Sequence, residues 1–226
     1  MPVVAAVVCP HPPLLVPEVA SGAAAELDDL RAACFAALDQ LADVDRLVVV
    51  GSGPTTGTQY DGTAAGTFGP YGASSVRVGS GPVVLPLSLT MGAWLIGRSK
   101  VAGVPRTSVT VAADESPAGC LALGKELAGS NDRVGLLVMG DGSARRSEHS
   151  PVHLHPRAEI FDSTIASALA LADTTTLAAL DPDLAAELSA AGRAPWQVLA
   201  AVPELTGNLL YHAAPYGVGY FVAVWS

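Results

Sequence analysis

The stretch VVAAVVCPHPPLLVPEV, Val3 to Val19, decides how the rest of the chain is read. Its first six residues are apolar and largely β-branched, the pattern of a buried strand. The prolines that follow exclude both a helix and continued strand pairing. His11 lies in that break. Ligands of open α/β sheets gather just beyond the carboxyl ends of parallel strands, so a histidine there stands where chemistry usually happens. The plainer alternative is an imidazole hydrogen-bonded to backbone in a proline-stiffened loop. Cys9, two residues earlier, reads as a small buried hydrophobe pointing into the sheet.

Working outward, residues 22–41 carry apolar side chains at Leu27, Leu30, Cys34, Leu38 and Leu41, the three-and-four spacing of an amphipathic helix, with Ser21 as its cap. A strand follows at 46–50 and ends in GSGP, 51–54. Strand, helix and strand in this order make a βαβ unit. Residues 51–81 form a glycine- and threonine-rich stretch with weak strand signals at 75–78 and 83–85. A loop of that length is either a functional flap, here Tyr60 to Tyr71, or a surface meander of small hairpins. A helical pattern starts at Ser88 and is closed by Gly103 and Pro105. A strand at 107–111, a helix capped by Asp114 or Ser116 and running to about 128, and a strand at 133–139 buried on both faces come next. Helices are expected at 158–172, 174–180, 182–191 and 195–201, and GVGYFVAVW, 217–225, closes the chain as a strand. Alternating strands and helices predict one α/β domain spanning residues 1–226, with three layers: a mostly parallel central sheet flanked by helices.

Composition narrows the function. The chain has 226 residues, 50% of them hydrophobic and 15% charged, as expected of a globular protein with a well-filled core. Mean hydropathy is high, at +0.41. Even so, prolines and glycines interrupt the long uncharged runs, so no membrane span is expected. The N-terminal residues lack the basic flank of a signal peptide, and the three widely spaced cysteines suit a reducing compartment, so a cytoplasmic location is expected. A formal charge of −9 disfavours nucleic acid as a partner. Arg145, Arg146 and Arg157 are the one local basic cluster, suited to a single anionic group.

The strand ending at 139 empties into GDGSARRSEHSPVHLHP, 140–156, which brings Asp141, Ser143, Glu148, His149, His153 and His155 into one loop. Imidazoles ligate zinc, iron or copper when three or four donors converge. The HxxxHxH spacing fits no metal motif outside a regular element, so three solvated loop histidines are the plainer reading. His212, in LLYHAAPYG, reads as a packed or surface residue. No nucleophile elbow, P-loop or complete dinucleotide fingerprint is present, and GSGP is a weak anion signal.

In order, PHPPLLVPEV after the first strand, LVVVGSGP, GDGSARRSEHSPVHLHPRAEIFD and APYGVGYFVA resemble the class III extradiol ring-cleavage dioxygenases of the catalytic, LigB-type subunit family. That resemblance covers nearly the whole chain. It implies a LigB-like α/β fold, a ferrous ion held by two histidines and a glutamate, and catechol ring opening with a further histidine as acid and base. Carried over residue by residue, His11 matches the first metal histidine. Ser52 stands at the second, Ala144 at the catalytic histidine, and Ala190 at the glutamate, with Glu187 one turn away. The chain has no histidine between His11 and His149. One imidazole cannot hold the ion, and loss of the acid/base histidine alone removes roughly a hundredfold to ten-thousandfold in rate.

The leading expectation is therefore a homologue with a degenerate metal site and no cofactor, acting as a small-molecule-binding or non-catalytic protein. His11, Ser52, Asp141, Ser143 and Arg145 would line a pocket for an aromatic or anionic molecule. The alternative is an active Fe(II) extradiol dioxygenase in which His11 and the histidines at 149, 153 and 155 form a substituted site. A scaffold subunit is the third reading, and a homodimer is compatible with the apolar composition.

Overall fold

The computed structural model describes residues 3–129, 132–202 and 204–226. Its centre is a seven-stranded sheet. Four parallel strands form the middle: β1 (Val3–Cys9), β2 (Arg46–Gly53), β6 (Arg106–Ala112) and β7 (Val134–Met139). β7 lies between β1 and β2, and β6 lies outside β2. Antiparallel strands cover both sides of this parallel core. β3 (Gln59–Tyr60) pairs with β6, while β9 (Tyr220–Trp225) pairs with β1 and with the outermost strand, β8 (Gly207–Ala213). The sheet is thus mixed, with a parallel core as the sequence predicts. A separate hairpin joins β4 (Gly66–Phe68) to β5 (Ala73–Val78).

The period-two alternation of the strands divides the core into two. On one face Ala6, Val8, Leu136 and Val138 pack against α4 (Pro117–Ala128), α5 (Ala158–Leu171), α6 (Thr174–Ala178), α7 (Pro182–Glu187) and α8 (Arg193–Leu199). On the other, Val7, Cys9, Leu137 and Met139 pack against α2 (Asp28–Leu38), α3 (Leu87–Ile96) and the β4–β5 hairpin. Every residue of β7 is buried, because helices cover both faces. These are the three expected layers. Among the described residues no helix is long and apolar enough to cross a membrane.

Several local expectations are corrected. The proline-rich segment does not exclude helix: Pro13–Leu15 forms a 3-10 turn, and α1 (Pro17–Ala20) is one helical turn with proline at its first position, where no N–H is needed. The long helix of 22–41 is broken into a 3-10 segment at Ser21–Leu27, α2, and a 3-10 turn at Asp39–Leu41, and Ser21, with φ of 50°, closes the C-terminus of α1 on the Pro17 carbonyl rather than capping the start of α2. Ser116 is the α4 cap, accepting from the Gly119 N–H. The helix starting near Ser88 stops at Ile96, well before Gly103. No strand forms at 83–85, where Val83 makes only an isolated bridge to Ala65. β8 went unread because its side chains alternate in burial while its residue types do not, Leu210 standing exposed beside Leu209.

Candidate functional site

The carboxyl ends of β1, β2 and β7 lie side by side, and the chain crosses them in a short strap, residues 188–193. The strap is fastened mainly through backbone. Gly192 N–H donates to the Asp141 carbonyl at 2.8 Å, Ala144 N–H to the Leu188 carbonyl at 3.1 Å, and Ser52 Oγ to the Ala191 carbonyl at 2.9 Å. The approach is close enough to require glycine at 140, where a Cβ would lie 2.6 Å from Gly192 Cα. Beyond the strap, Arg193, only 2% exposed, donates to the Glu115 carbonyl at 2.6 Å and to Gln197 Oε1 at 2.9 Å, so that α8 is locked beside the β6 end. The four positions carried over from the extradiol family, His11, Ser52, Ala144 and Ala190, therefore belong to one hydrogen-bonded neighbourhood.

Within it, β1 and β7 are tied by Gly140 N–H to the Cys9 carbonyl at 3.0 Å, which aligns the two loops. The His11 backbone N–H donates to Asp141 Oδ1 at 2.8 Å, and the His11 ring nitrogen Nδ1 lies 3.6 Å from the same oxygen. That separation is too long for a hydrogen bond, so Nδ1 is buried without one. His11 is 7% exposed. Burial raises the Asp141 carboxyl above the ordinary carboxylate range, with His11 working in the opposite direction. Tyr220, also buried, has its hydroxyl pushed up first by desolvation and then by the Asp141 charge. The result is a half-buried carboxylate behind a buried imidazole at the junction of two parallel strands.

The other expected pocket residues are braces. Ser143 is fully buried. Its N–H donates to Asp162 Oδ1 at 2.9 Å, and its hydroxyl donates to the Leu188 carbonyl at 3.1 Å while accepting from Arg145 N–H. It has no face free for a ligand. Arg145 holds the His153 carbonyl at 2.7 Å and the Glu187 carbonyl at 2.9 Å, pinning the 144–157 loop to the strap. Arg146 pairs with Asp162 at 2.9 Å. The three arginines thus do not converge on one anion. The stretch from Tyr60 to Tyr71 is not a free flap either: its ends are held in β3 and the β4–β5 hairpin.

The histidines of the second loop go elsewhere. His155 Nε2 pairs with Glu187 Oε1 at 2.8 Å, and its Nδ1 accepts from Arg157 N–H. His149 and His153 are exposed. His212 stacks on Phe221, ring centroids 4.9 Å apart, and desolvation lowers its pKa. Among the described residues no three His, Cys, Asp or Glu side chains form a set able to hold a metal ion. Tested as a ferrous site, the strand ends offer one imidazole, one carboxylate turned onto a backbone N–H, an engaged hydroxyl and two alanines. These residues do not fit the ion. The residue that sequence reasoning missed is Asp162, buried in mid-helix and anchoring both Ser143 and Arg146. The closely approaching Gly142 and Gly219 around it were the available signal.

No family model and no curated protein matches this chain. Among solved structures, the crystal structure of uncharacterized protein JW3007 from Escherichia coli K12 superposes with a TM-score of 0.53 over 98% of each chain, at 14% identity. That likeness extends across the whole α/β fold and carries no activity with it.

Proposed function

We propose that this chain is a small-molecule-binding, non-catalytic relative of the class III extradiol dioxygenases, with the strand-end neighbourhood of His11 as its binding site and the cytoplasm as its location. The observation that supports the reading is the His11–Asp141 pair. The one family ligand retained is backed by a half-buried carboxylate, while the positions of the other metal ligands and of the acid/base histidine hold Ser52, Ala190 and Ala144. Such an imidazole can hydrogen-bond a phenol or an anionic oxygen. A substituted iron site would require the 149–155 histidines to turn toward His11, whereas His155 is held by Glu187.

The test is elemental analysis after anaerobic ferrous reconstitution, beside catechol binding by thermal shift, in the native chain and His11→Ala. The expected result is iron far below one equivalent in both proteins and a saturable catechol-induced stabilisation lost in the variant. Near-stoichiometric iron that disappears with His11 would overturn the proposal in favour of an oxygenase.

A further inference from the structure

A second cavity lies on the helical layer, away from the strand ends. It is a cleft of about 400 Å³ between α5, α6 and α7. Its size falls within the roughly 300–1,000 Å³ of small-molecule pockets. The walls are mostly apolar, supplied by Ile160, Phe161, Leu180 and Leu184. Ile160 is 71% exposed and presents branched aliphatic surface at the mouth of the cleft.

The polar groups of the cleft differ in one decisive way. Thr164 Oγ1 donates to the Ile160 carbonyl at 2.9 Å, Thr176 Oγ1 to Asp173 Oδ2 at 2.6 Å, and Asp181 Oδ1 accepts from Asp183 N–H at 3.0 Å as the cap of α7. The two hydroxyls are satisfied within their own turns, while Asp181, bonded at one oxygen, leaves its carboxylate charge on the α7 side of the cleft. Among the described residues the Arg157 guanidinium has no hydrogen-bond or ion-pair partner, whereas Arg145 and Arg146 are both engaged. An unpartnered guanidinium at the rim of an apolar cleft is complementary to a ligand with an apolar body and an anionic head, and its planar fork matches a carboxylate.

We propose that this cleft binds a small amphiphilic carboxylate, with the apolar body on Ile160, Phe161, Leu180 and Leu184 and the head on Arg157. The net charge of −9 and the Asp181 carboxylate both repel an anionic head, so the Arg157 contact has to outweigh them for a carboxylate to bind better than a neutral alcohol.

The test uses the full chain and three probes below their micellar concentrations, octanoate, 1-octanol and octylammonium, followed by calorimetry. Octanoate is expected to bind saturably with one-to-one stoichiometry and at least about tenfold more tightly than octanol, with octylammonium weakest. Arg157→Gln, an exposed substitution, should bring octanoate down to the octanol level. Ile160→Gln should weaken octanoate and octanol alike, and His11→Ala should change none of the three, which separates this cleft from the strand-end site. Octanoate that binds no better than octanol, or that is indifferent to Arg157→Gln, overturns the proposal.

Discussion

Two carboxylates, Asp141 and Asp162, are drawn out of solvent around the loop that leaves β7, and their partners differ. Asp162 is fully buried and meets the Arg146 guanidinium at 2.9 Å while accepting the Ser143 N–H. Asp141 meets one backbone N–H and an imidazole nitrogen too distant for a hydrogen bond. Burial pushes both pKa values up, and for Asp162 two hydrogen bonds and a full positive charge oppose that effect. The first is architecture, a keystone joining α5 to the β7 loop. The second is an under-compensated group beside an imidazole, the arrangement found where a protein keeps a group available for a ligand.

The comparison can be broken most forcefully at Asp162. Replacing it with alanine leaves Arg146 buried without its main partner and Ser143 N–H without an acceptor. The expected cost is about 3–5 kcal/mol, read from the urea midpoint. A loss below 1 kcal/mol would remove the distinction between the two carboxylates. Ser52→Ala leaves the Ala191 carbonyl without its donor and should cost about 1 kcal/mol by the same measurement, loosening the strap without unfolding the sheet.

Asp141→Asn should have the smallest effect on stability and the opposite sign. A carboxyl whose folded pKa lies above its unfolded value favours the fold in its protonated form, so its contribution is largest in acid and is lost as pH rises through the folded pKa. Asparagine keeps an oxygen for the His11 N–H and removes the half-buried charge. Melting temperature should therefore rise at neutral pH, and the gain should vanish as pH falls into the ordinary carboxylate range. Catechol-induced stabilisation should weaken in the same variant. A fall in melting temperature at neutral pH would mean that Asp141, like Asp162, serves the architecture.

What the chain made legible in advance follows from physics that acts locally. The parallel strands announced themselves because burial on both faces demands uninterrupted Val, Leu and Ala, and α4 because Asp114 and Ser116 offered a cap at its start. His11, Ser52 and Asp141 were placed near one another because they follow three strands that a parallel sheet must align. The rest depended on contacts remote in sequence. Nothing near Ser143 reveals that its hydroxyl meets Leu188, or that Arg145 reaches Glu187 rather than an anion. Asp162 sits in a helix pattern that would tolerate it on the wet face, and only folding turns it inward. β8 was hidden because Leu210 lies on its outer face, and the cleft beside Arg157 is built by three helices whose separate sequences carry no sign of a shared cavity.

The strap of residues 188–193 leads to one last point. The strap's hydrogen bonds over the strand ends use its main-chain groups, at Leu188, Ala191 and Gly192, and none uses the side chain at 190. Ala190 borders a hollow of about 240 Å³. Ala190 is also buried among the core side chains of the helical layer, so the strap keeps its place through main-chain bonds while position 190 is limited by packing to what the hollow can house. Fastened by its peptide groups, the strap is a lintel over the strand ends whose position does not depend on any one of its side chains reaching a polar partner.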